Sequence, residues 1–353
     1  MSATAVPAPE TTSRLVTTEV PDAEWDAFVA RYPEAGGYHL SGWRRVFTRA
    51  FRHDTLYLGV RRGGALTGVL PLVFFRSPLF GRFAVSLPFV NYGGLLADDD
   101  GDRAALLAEA TTHARDRGCA HVELRHVGRL LPEHPARTHK VTMWLPLPAT
   151  ADALWEGFDR KVRNQVRKAE KSGLVAESGG AELLDAFYLV FAQNMRDLGT
   201  PVYSRRFFVE VLTAFPEATR VFLVRKDGQP IAGSITYRFG GAMQVPWASS
   251  LREFLALSPN NALYWEMLRH AVATGCRRFD FGRSTPEEGT YQFKKQWGAE
   301  PEPLHWEYVL LTRTELPDQS PKNPKFRLAI DAWKKLPLAV ANRLGPAIVR
   351  NIP

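Results

Sequence analysis

Two stretches of the chain carry the same order of hydrophobic and polar patterns. In each stretch, three apolar segments of the length and composition of β-strands come first, and a segment with helical periodicity follows. The segments are residues 56–62, 65–76, 83–96 and 102–117 in the first stretch, and residues 220–226, 230–239, 242–250 and 260–275 in the second. The pattern therefore predicts an internal duplication in which each half has a mixed sheet flanked by helices.

Short matching segments after each helical pattern support the duplication. Residues 114–126 and 271–283 both place a glycine and a cysteine between a helix and a strand. We predict an α/β fold with two similar domains, divided where prolines near residues 146–150 interrupt the pattern. The expected organisation is a disordered leader at 1–14, domains at 15–148 and 149–312, and a proline-rich linker with a basic amphipathic tail at 313–353.

Composition sets only broad limits on function. A chain of 353 residues exceeds what one core usually covers, and a hydrophobic content of 45% supports packed cores. The net charge of +8, from 45 basic and 37 acidic residues, favours anionic partners such as phosphates, nucleic acid or a membrane surface. Two isolated cysteines and the absence of a long apolar run predict a cytoplasmic protein, and residue spacing predicts no metal site.

The most informative segment is residues 279–298, where a strand leads through a polar loop into an aromatic and basic segment with helical spacing. The segment ends in a motif made of Phe293, Lys294, Trp297 and Gly298. This motif resembles the FK-x-x-[WF]-G segment of the Fem-type acyltransferases. The chain also resembles the FemAB-related proteins of exosortase/PEP-CTERM gene neighbourhoods.

The resemblance covers most of residues 15–312 and implies two acetyltransferase-like (GNAT-like) domains, with the chemistry in the second. It implies an N-acyltransferase that joins an aminoacyl or other acyl group to an amine of a cell-envelope acceptor, such as a peptidoglycan or exopolysaccharide precursor. Lys294 is then expected to stabilise the oxyanion that forms at the acyl carbonyl. Asp280 is the first candidate for the general base, and an ion pair with Arg283 is its alternative role.

Further residues are expected to bind the acceptor. Arg196 and Tyr203 match positions that resemble acceptor contacts in the Fem-type enzymes, although pairing of Arg196 with Asp197 at a helix end is equally open. The other candidates are Arg283, Asn91, Tyr92, Trp43, Trp247, Phe293 and Trp297. Core packing is the alternative for Trp247, Phe293 and Trp297, and a bulge or turn at residues 87–94 is the alternative for the asparagine and tyrosine.

A basic helix and an absent motif bear on the acyl donor. Within residues 159–173, basic side chains share one helical face opposite a stripe of Val162, Val166 and Ala169. The basic residues are Arg163, Arg167, Lys168 and Lys171. They could contact the phosphates of an aminoacyl-tRNA or form a solvated face.

Residues 250–261 contain no glycine, whereas acetyltransferases of this fold bind the pyrophosphate of coenzyme A through a glycine-rich loop. The resemblance therefore implies aminoacyl-tRNA as donor and no bound cofactor. An acyl-CoA donor stays open, and so does a non-catalytic protein that binds glycan precursors. The basic tail could lie on an anionic membrane surface or pack back onto the first domain, since Pro337 and Pro346 are expected to break it into short pieces.

Overall fold

The computed structural model describes residues 13–32, 35–317 and 324–353. Most of the predicted leader at 1–14 and most of the proline-rich stretch at 316–324 lie outside the described residues. The described residues form one mixed sheet of thirteen strands with helices on both faces.

The first half contains seven strands and three α-helices among its described residues. Its strands are β1 (Arg14–Thr17), β2 (Asp54–Arg62), β3 (Ala65–Ser77), β4 (Gly81–Val85), β5 (Leu96–Ala97), β6 (His121–Val127) and β7 (Ala136–Pro146). Its helices are α1 (Asp22–Ala30), α2 (Gly42–Phe51) and α3 (Asp100–Asp116).

The second half and the tail contain the remaining elements. The strands are β8 (Leu174–Gly179), β9 (Thr219–Lys226), β10 (Gln229–Phe239), β11 (Ala242–Ser250), β12 (Arg278–Asp280) and β13 (Glu300–Leu310). The helices are α4 (Ala151–Gly157), α5 (Arg160–Lys171), α6 (Leu184–Leu198), α7 (Arg205–Ala214), α8 (Pro259–Ala273) and α9 (Gly289–Gln296), followed in the tail by α10 (Pro324–Lys334) and α11 (Leu338–Val349).

The duplicated order predicted from the pattern is present in both halves. In the first half, β4 and β6 are parallel and α3 connects them; in the second, β11 and β12 are parallel and α8 connects them. Parallel neighbours need such a crossover connection, which is why a helical pattern separates them in the sequence. The α/β fold with tandem GNAT-like units is confirmed.

The two halves share their sheet by exchanging strands. The order across the sheet is β1-β2-β3-β4-β6-β13-β7-β12-β11-β10-β9-β8, with β5 beside β3. Strand β13 of the second half therefore pairs with β6 of the first, and β7 of the first half pairs with β12 of the second. The division at residues 148/149 stays a prediction. Strands of the two halves meet where β6 pairs with β13 and where β7 pairs with β12.

The predicted strand at 83–96 is wrong beyond Val85. Residues 86–95 form a buried turn region in which Leu87 and Phe89 adopt positive φ angles of 43° and 68°. Apolar residues fill this segment because it is buried, and a buried loop therefore resembles a strand in the sequence. The bulge-or-turn alternative for residues 87–94 is the one that the structure shows.

Aromatic packing joins the two halves on one face of the sheet. A buried cluster on this face draws on α2, α6, α7 and the turn region after β4. The tail packs against the same side, because α11 buries Ala341, Gly345 and Val349, with Gly345 close to Val202. The expected break at Pro346 is wrong, because Pro346 lies inside α11 and the helix continues past it.

Candidate functional site

The site begins where the parallel strands β11 and β12 separate. Their last paired residues are Gln244 and Asp280. Gly282 follows with a φ of 78°, and a Cβ atom there would lie 2.4 Å from the carbonyl oxygen of Val245. Only glycine permits this approach. Beyond it, Ser284 pairs with β7 instead of β11, so the two strands diverge.

Asp280 lies at the start of this divergence and is completely buried. Its Oδ1 accepts hydrogen bonds from the Thr142 hydroxyl at 2.5 Å and the Gly282 N–H at 2.8 Å. Its Oδ2 accepts one from the Tyr92 hydroxyl at 3.1 Å, and Gln244 Nε2 donates to that hydroxyl. Burial raises the pKa of the Asp280 carboxyl, although these hydrogen bonds and nearby Lys294 act in the opposite direction.

Lys294 reaches the same place from α9. Its Nζ donates to the carbonyl oxygens of Gly282 at 2.8 Å and Arg283 at 3.1 Å, and the residue is 6% exposed. Burial lowers the pKa of the Lys294 amine to about 7, while Asp280 opposes this shift and Arg283 adds to it. Because this pKa lies near neutrality, the side chain can be either an ammonium or a free amine under physiological conditions.

Aromatic contacts hold α9 in position. Trp297 is 1% exposed and meets the Phe158 ring edge-on at 5.1 Å between ring centres. Phe293 packs edge-on against Tyr264 at 5.2 Å. Both predicted binding residues therefore pack α9 against other elements of the second half, where they fix the direction in which Lys294 extends.

Two arginines from different halves meet at Trp306 of β13. The guanidinium carbons of Arg125 and Arg283 lie 4.3 and 5.3 Å from the centre of the Trp306 ring. Arg125 is 1% exposed and donates from Nε to Glu123 at 2.7 Å. One terminal nitrogen of each arginine, Nη2 of Arg125 and Nη1 of Arg283, is buried without a hydrogen-bond partner in the described structure.

The charges of these two arginines act on the buried hydroxyl of Tyr203. Burial raises the pKa of the Tyr203 hydroxyl, and the charges of Arg283 and Arg125 act in the opposite direction. Burial and the charge of Arg125 lower the pKa of Arg283 to about 10, which still leaves it charged at neutral pH. A concentrated positive region with unused donors therefore adjoins the Asp280 and Lys294 pair.

Asn91 and Tyr92 bring the first half against Gly282 and Asp280. Asn91 Nδ2 donates to the Tyr38 hydroxyl at 3.2 Å, and it would lie 3.1 Å from a Cβ atom on Gly282. A cavity of about 370 Å³ opens beside this network. Residues of both halves line it, including Tyr92 and Gln244, so a ligand in the cavity would lie next to the Asp280 network.

Three other predicted residues occupy different surroundings. Trp43 is buried and donates from Nε1 to the Gly37 carbonyl at 3.0 Å. Trp247 is 5% exposed and lies edge-on between two phenylalanine rings of α7. Arg196 donates to Asp197 at 2.7 Å and to the Leu336 carbonyl at 3.0 Å, which attaches the tail to α6. These contacts match the packing alternative for Trp247 and the pairing alternative for Arg196, and Trp43 belongs to the same buried cluster as Trp247.

The basic helix forms as α5 with its apolar stripe buried. Val162, Val166 and Ala169 pack inward, while Arg167, Lys168 and Lys171 are exposed. The guanidinium of Arg167 lies 5.5 Å from the Trp155 ring centre. Arg163 differs from these three because it is partly buried, with its Nε unpartnered in the described structure. The exposed face is free to meet a phosphate backbone.

Sequence patterns missed four residues of this site: Thr142, Gln244, Arg125 and Trp306. Thr142 and Trp306 lie on β7 and β13, the exchanged strands, which local patterns did not predict. Arg125 belongs to the repeated segment 114–126, but it aligns with Gly282 of residues 271–283, so the repeat gave no signal for it.

Removing the charge of Asp280 should lower the pKa of Lys294. We expect Asp280→Asn to keep most hydrogen-bonding capacity but to lower the Lys294 pKa from about 7 by roughly one unit or more, because an opposite charge is lost. The 13Cε resonance of Lys294, assigned with a Lys294→Met variant, reports this titration by NMR. Asp185→Asn, at an exposed ion pair, is the matched control, and an unchanged pKa in Asp280→Asn would contradict the prediction.

The point where β11 and β12 diverge, together with Lys294 and Asp280, falls within one region of family similarity. Residues 157–295 match the acetyltransferase (GNAT) domain. The matched region contains Asp280 and Lys294, and the match supports acyltransferase activity. No curated protein matches the chain in sequence.

Solved structures share the whole two-unit fold. FemX superposes with a TM-score of 0.68 at 17% identity, covering 85% of this chain and 98% of FemX. The C-terminal domain of an Agrobacterium fabrum protein assigned to the lysylphosphatidylglycerol synthetases gives 0.55 at 12% identity, covering 80% and 90%. A tandem GNAT protein from the clavulanic acid biosynthesis pathway gives 0.50 at 15%, covering 81% and 90%. These likenesses establish the fold.

Among the described residues, no group of three or more histidine, cysteine, aspartate or glutamate side chains is placed to hold a metal ion. Within the same ranges, no helix combines the length and apolar character needed to cross a bilayer.

Proposed function

We propose that this protein is an N-acyltransferase that forms an amide between an acyl donor and an amine acceptor. The observation that carries the proposal is the buried Lys294 beside Asp280, at the point where the parallel strands of the GNAT domain diverge. A buried amine whose pKa is near neutral, close to a buried carboxylate where strands of both halves meet, is typical of a catalytic site.

The proposed reaction is direct attack by the acceptor amine on the donor carbonyl. Formation of the new C–N bond gives a tetrahedral intermediate. When this intermediate collapses, the bond between the acyl carbon and the leaving oxygen or sulfur breaks, and the leaving atom takes the proton lost by the amine. Lys294 as an ammonium stabilises the oxyanion of that intermediate, a charge that exists only during the reaction. We assign Asp280 to positioning, because both of its oxygens already accept hydrogen bonds, and its charge favours the ammonium form of Lys294.

We propose that Arg283 and Arg125 bind an anionic group of the acceptor. Both guanidiniums lie against the Trp306 ring and each has an unused buried nitrogen, so a carboxylate or phosphate near this ring would accept charge-assisted hydrogen bonds. An amine-bearing cell-envelope precursor, of the kind that the Fem-type motif implies, has this combination of amine and anion. In this proposal the protein acts on the cytoplasmic side of the membrane.

Aminoacyl-tRNA is the donor that we propose first. Residues 252–257 form a 3-10 helix in place of a glycine-rich pyrophosphate loop, and the Ser258 hydroxyl is bound to Gln165. The exposed cations of α5 lie in the same domain and suit an RNA backbone. The match to the acetyltransferase domain favours a second candidate, an acyl-CoA donor.

A donor comparison tests the proposal. Purified protein receives labelled aminoacyl-tRNA or labelled acetyl-CoA with a panel of amine-bearing cell-envelope precursors. We expect a labelled amide from aminoacyl-tRNA that ribonuclease abolishes, and a slower reaction in the triple variant Arg167→Gln, Lys168→Gln, Lys171→Gln. The double variant Arg205→Gln, Arg206→Gln on α7 is the charge control. Product from acetyl-CoA alone would overturn the tRNA assignment, and no product from any pair would favour a non-catalytic glycan-precursor-binding protein.

A further inference from the structure

A second cavity, of about 330 Å³, lies outside the GNAT domain, and the first half and the C-terminal tail line it together. Its walls come from the ends of α2 and α3, from β3 and β4, and from the residues after α11. Five arginines line it: Arg52, Arg76, Arg82, Arg117 and Arg350. The volume falls in the lower range of small-molecule pockets, about 300–1,000 Å³.

The charge of this cavity is strongly unbalanced. Asp54 is its one acidic lining residue, and it pairs with Arg117 at 3.2 Å. Its histidine, His53, is buried, and burial lowers the pKa of His53 to about 4, with the charge of Arg350 adding to the effect. His53 is therefore neutral at pH 7. None of the other four arginines forms an ion pair with a carboxylate in the part of the chain that the structure describes.

The five arginines line one common space. Arg82 donates to the main-chain carbonyl of Arg117 at 3.4 Å, and the Arg117 guanidinium lies 4.5 Å from the Phe74 ring centre. Three of the cations, Arg117, Arg82 and Arg76, act on the buried thiol of Cys119, lowering a pKa that burial raises. Like charges that are brought together in a concave site repel each other, so a bound anion would stabilise this arrangement.

We propose that this cavity binds the diphosphate group of a small molecule. A guanidinium forms two parallel hydrogen bonds with a phosphate, and five guanidiniums exceed what a single carboxylate can use. Arg350 belongs to the tail, so a bound diphosphate would connect the tail to the first half. The cavity contains no residue of the 157–295 domain, which makes the proposal independent of the acyltransfer assignment.

Calorimetric titration of the full chain with inorganic pyrophosphate tests this directly. We expect saturable binding of pyrophosphate. The affinity should fall about tenfold or more in the double variant Arg76→Gln, Arg82→Gln, and several-fold in the single variant Arg350→Gln. Arg343→Gln is the matched control, because Arg343 is exposed on the same tail helix but does not line the cavity. Pyrophosphate should also raise the Tm of the wild type and of the control, but not that of the double variant, which separates binding from a folding defect.

Other ligands decide the remaining outcomes. Monophosphate that binds as tightly as pyrophosphate, or equal weakening in Arg343→Gln, overturns the diphosphate assignment. A short RNA that binds while pyrophosphate does not also overturns it, in favour of a nucleic-acid surface. Vesicles with and without a lipid-linked diphosphate identify the source: pyrophosphate-sensitive binding to the first alone supports a lipid-borne group, and binding of free pyrophosphate alone supports a soluble one.

Discussion

Replacing Lys294 by methionine should reduce the rate of acyl transfer by about 10²–10³-fold, because one donor to a developing oxyanion contributes about that much in related chemistry. Methionine keeps the length and apolar stem of the side chain but loses the charge. The measurement is kcat with the donor identified in the comparison above. Lys295→Met is the matched control, since Lys295 is adjacent and exposed. Equal activity in Lys294→Met and Lys295→Met would remove Lys294 from the mechanism.

The pH dependence should identify the active form of Lys294. If the ammonium stabilises the oxyanion, the rate per unprotonated acceptor amine falls about tenfold per pH unit above pH 7, where Lys294 loses its proton. Lys294→Arg keeps a cation at all these pH values and should remove the decline from its residual activity. A rate that instead rises through pH 7 in the wild type would assign Lys294 as the base.

The stability of the same variant shows whether its loss of activity comes from chemistry. The pKa of Lys294 is about 7 in the folded protein, whereas a lysine in the unfolded chain has the ordinary pKa of 10.5. The unfolded chain therefore binds more protons than the folded protein between these two pH values. Wild-type stability should gain up to roughly 1.4 kcal/mol per pH unit from this group as pH rises through that window, and no further change is expected from it below pH 7. Lys294→Met should lack this contribution and remain folded at pH 7.

The parts of this site that the sequence predicts are those that lie close together in the chain. Asp280 and Lys294 are fourteen positions apart and belong to one strand, loop and helix, so local periodicity was enough to bring them together. The hydrogen bond between Tyr92 and Asp280 joins residues 188 positions apart. It depends on how the two halves dock, which no local pattern encodes.

Strand exchange explains most of the remaining differences. Strand β13 contains two prolines at 301 and 303, and β7 begins with a polar run at 137–140, so neither has the apolar alternation of an ordinary strand. Both strands are nevertheless central because each pairs with the other half. Thr142 and Trp306 belong to these strands. The sequence therefore predicted the residues of the site less completely than it predicted the fold.

Replacing Arg283 by methionine should raise the KM for an anionic acceptor by about 10- to 100-fold, with a much smaller change in kcat. Arg283 makes a charge-assisted hydrogen bond to the acceptor in our proposal, and such a bond contributes about 1.5–3 kcal/mol. The measurement is steady-state kinetics against the acceptor concentration. Arg225→Met, on β9 with an ion pair to Glu177, controls for loss of an arginine elsewhere in the sheet.

Arg125 requires a different variant because it is paired inside the protein. Removing it alone would leave Glu123 buried and unpaired, at a cost of about 3–5 kcal/mol in stability, which would obscure any effect on binding. The double variant Glu123→Gln, Arg125→Met removes both charges and should remain folded. If both arginines hold one acceptor anion, adding Arg283→Met to this double variant should raise KM less than it does in the wild type. Fully additive effects would mean that the two arginines act at separate places, and an acceptor lacking its anionic group should be insensitive to all three changes.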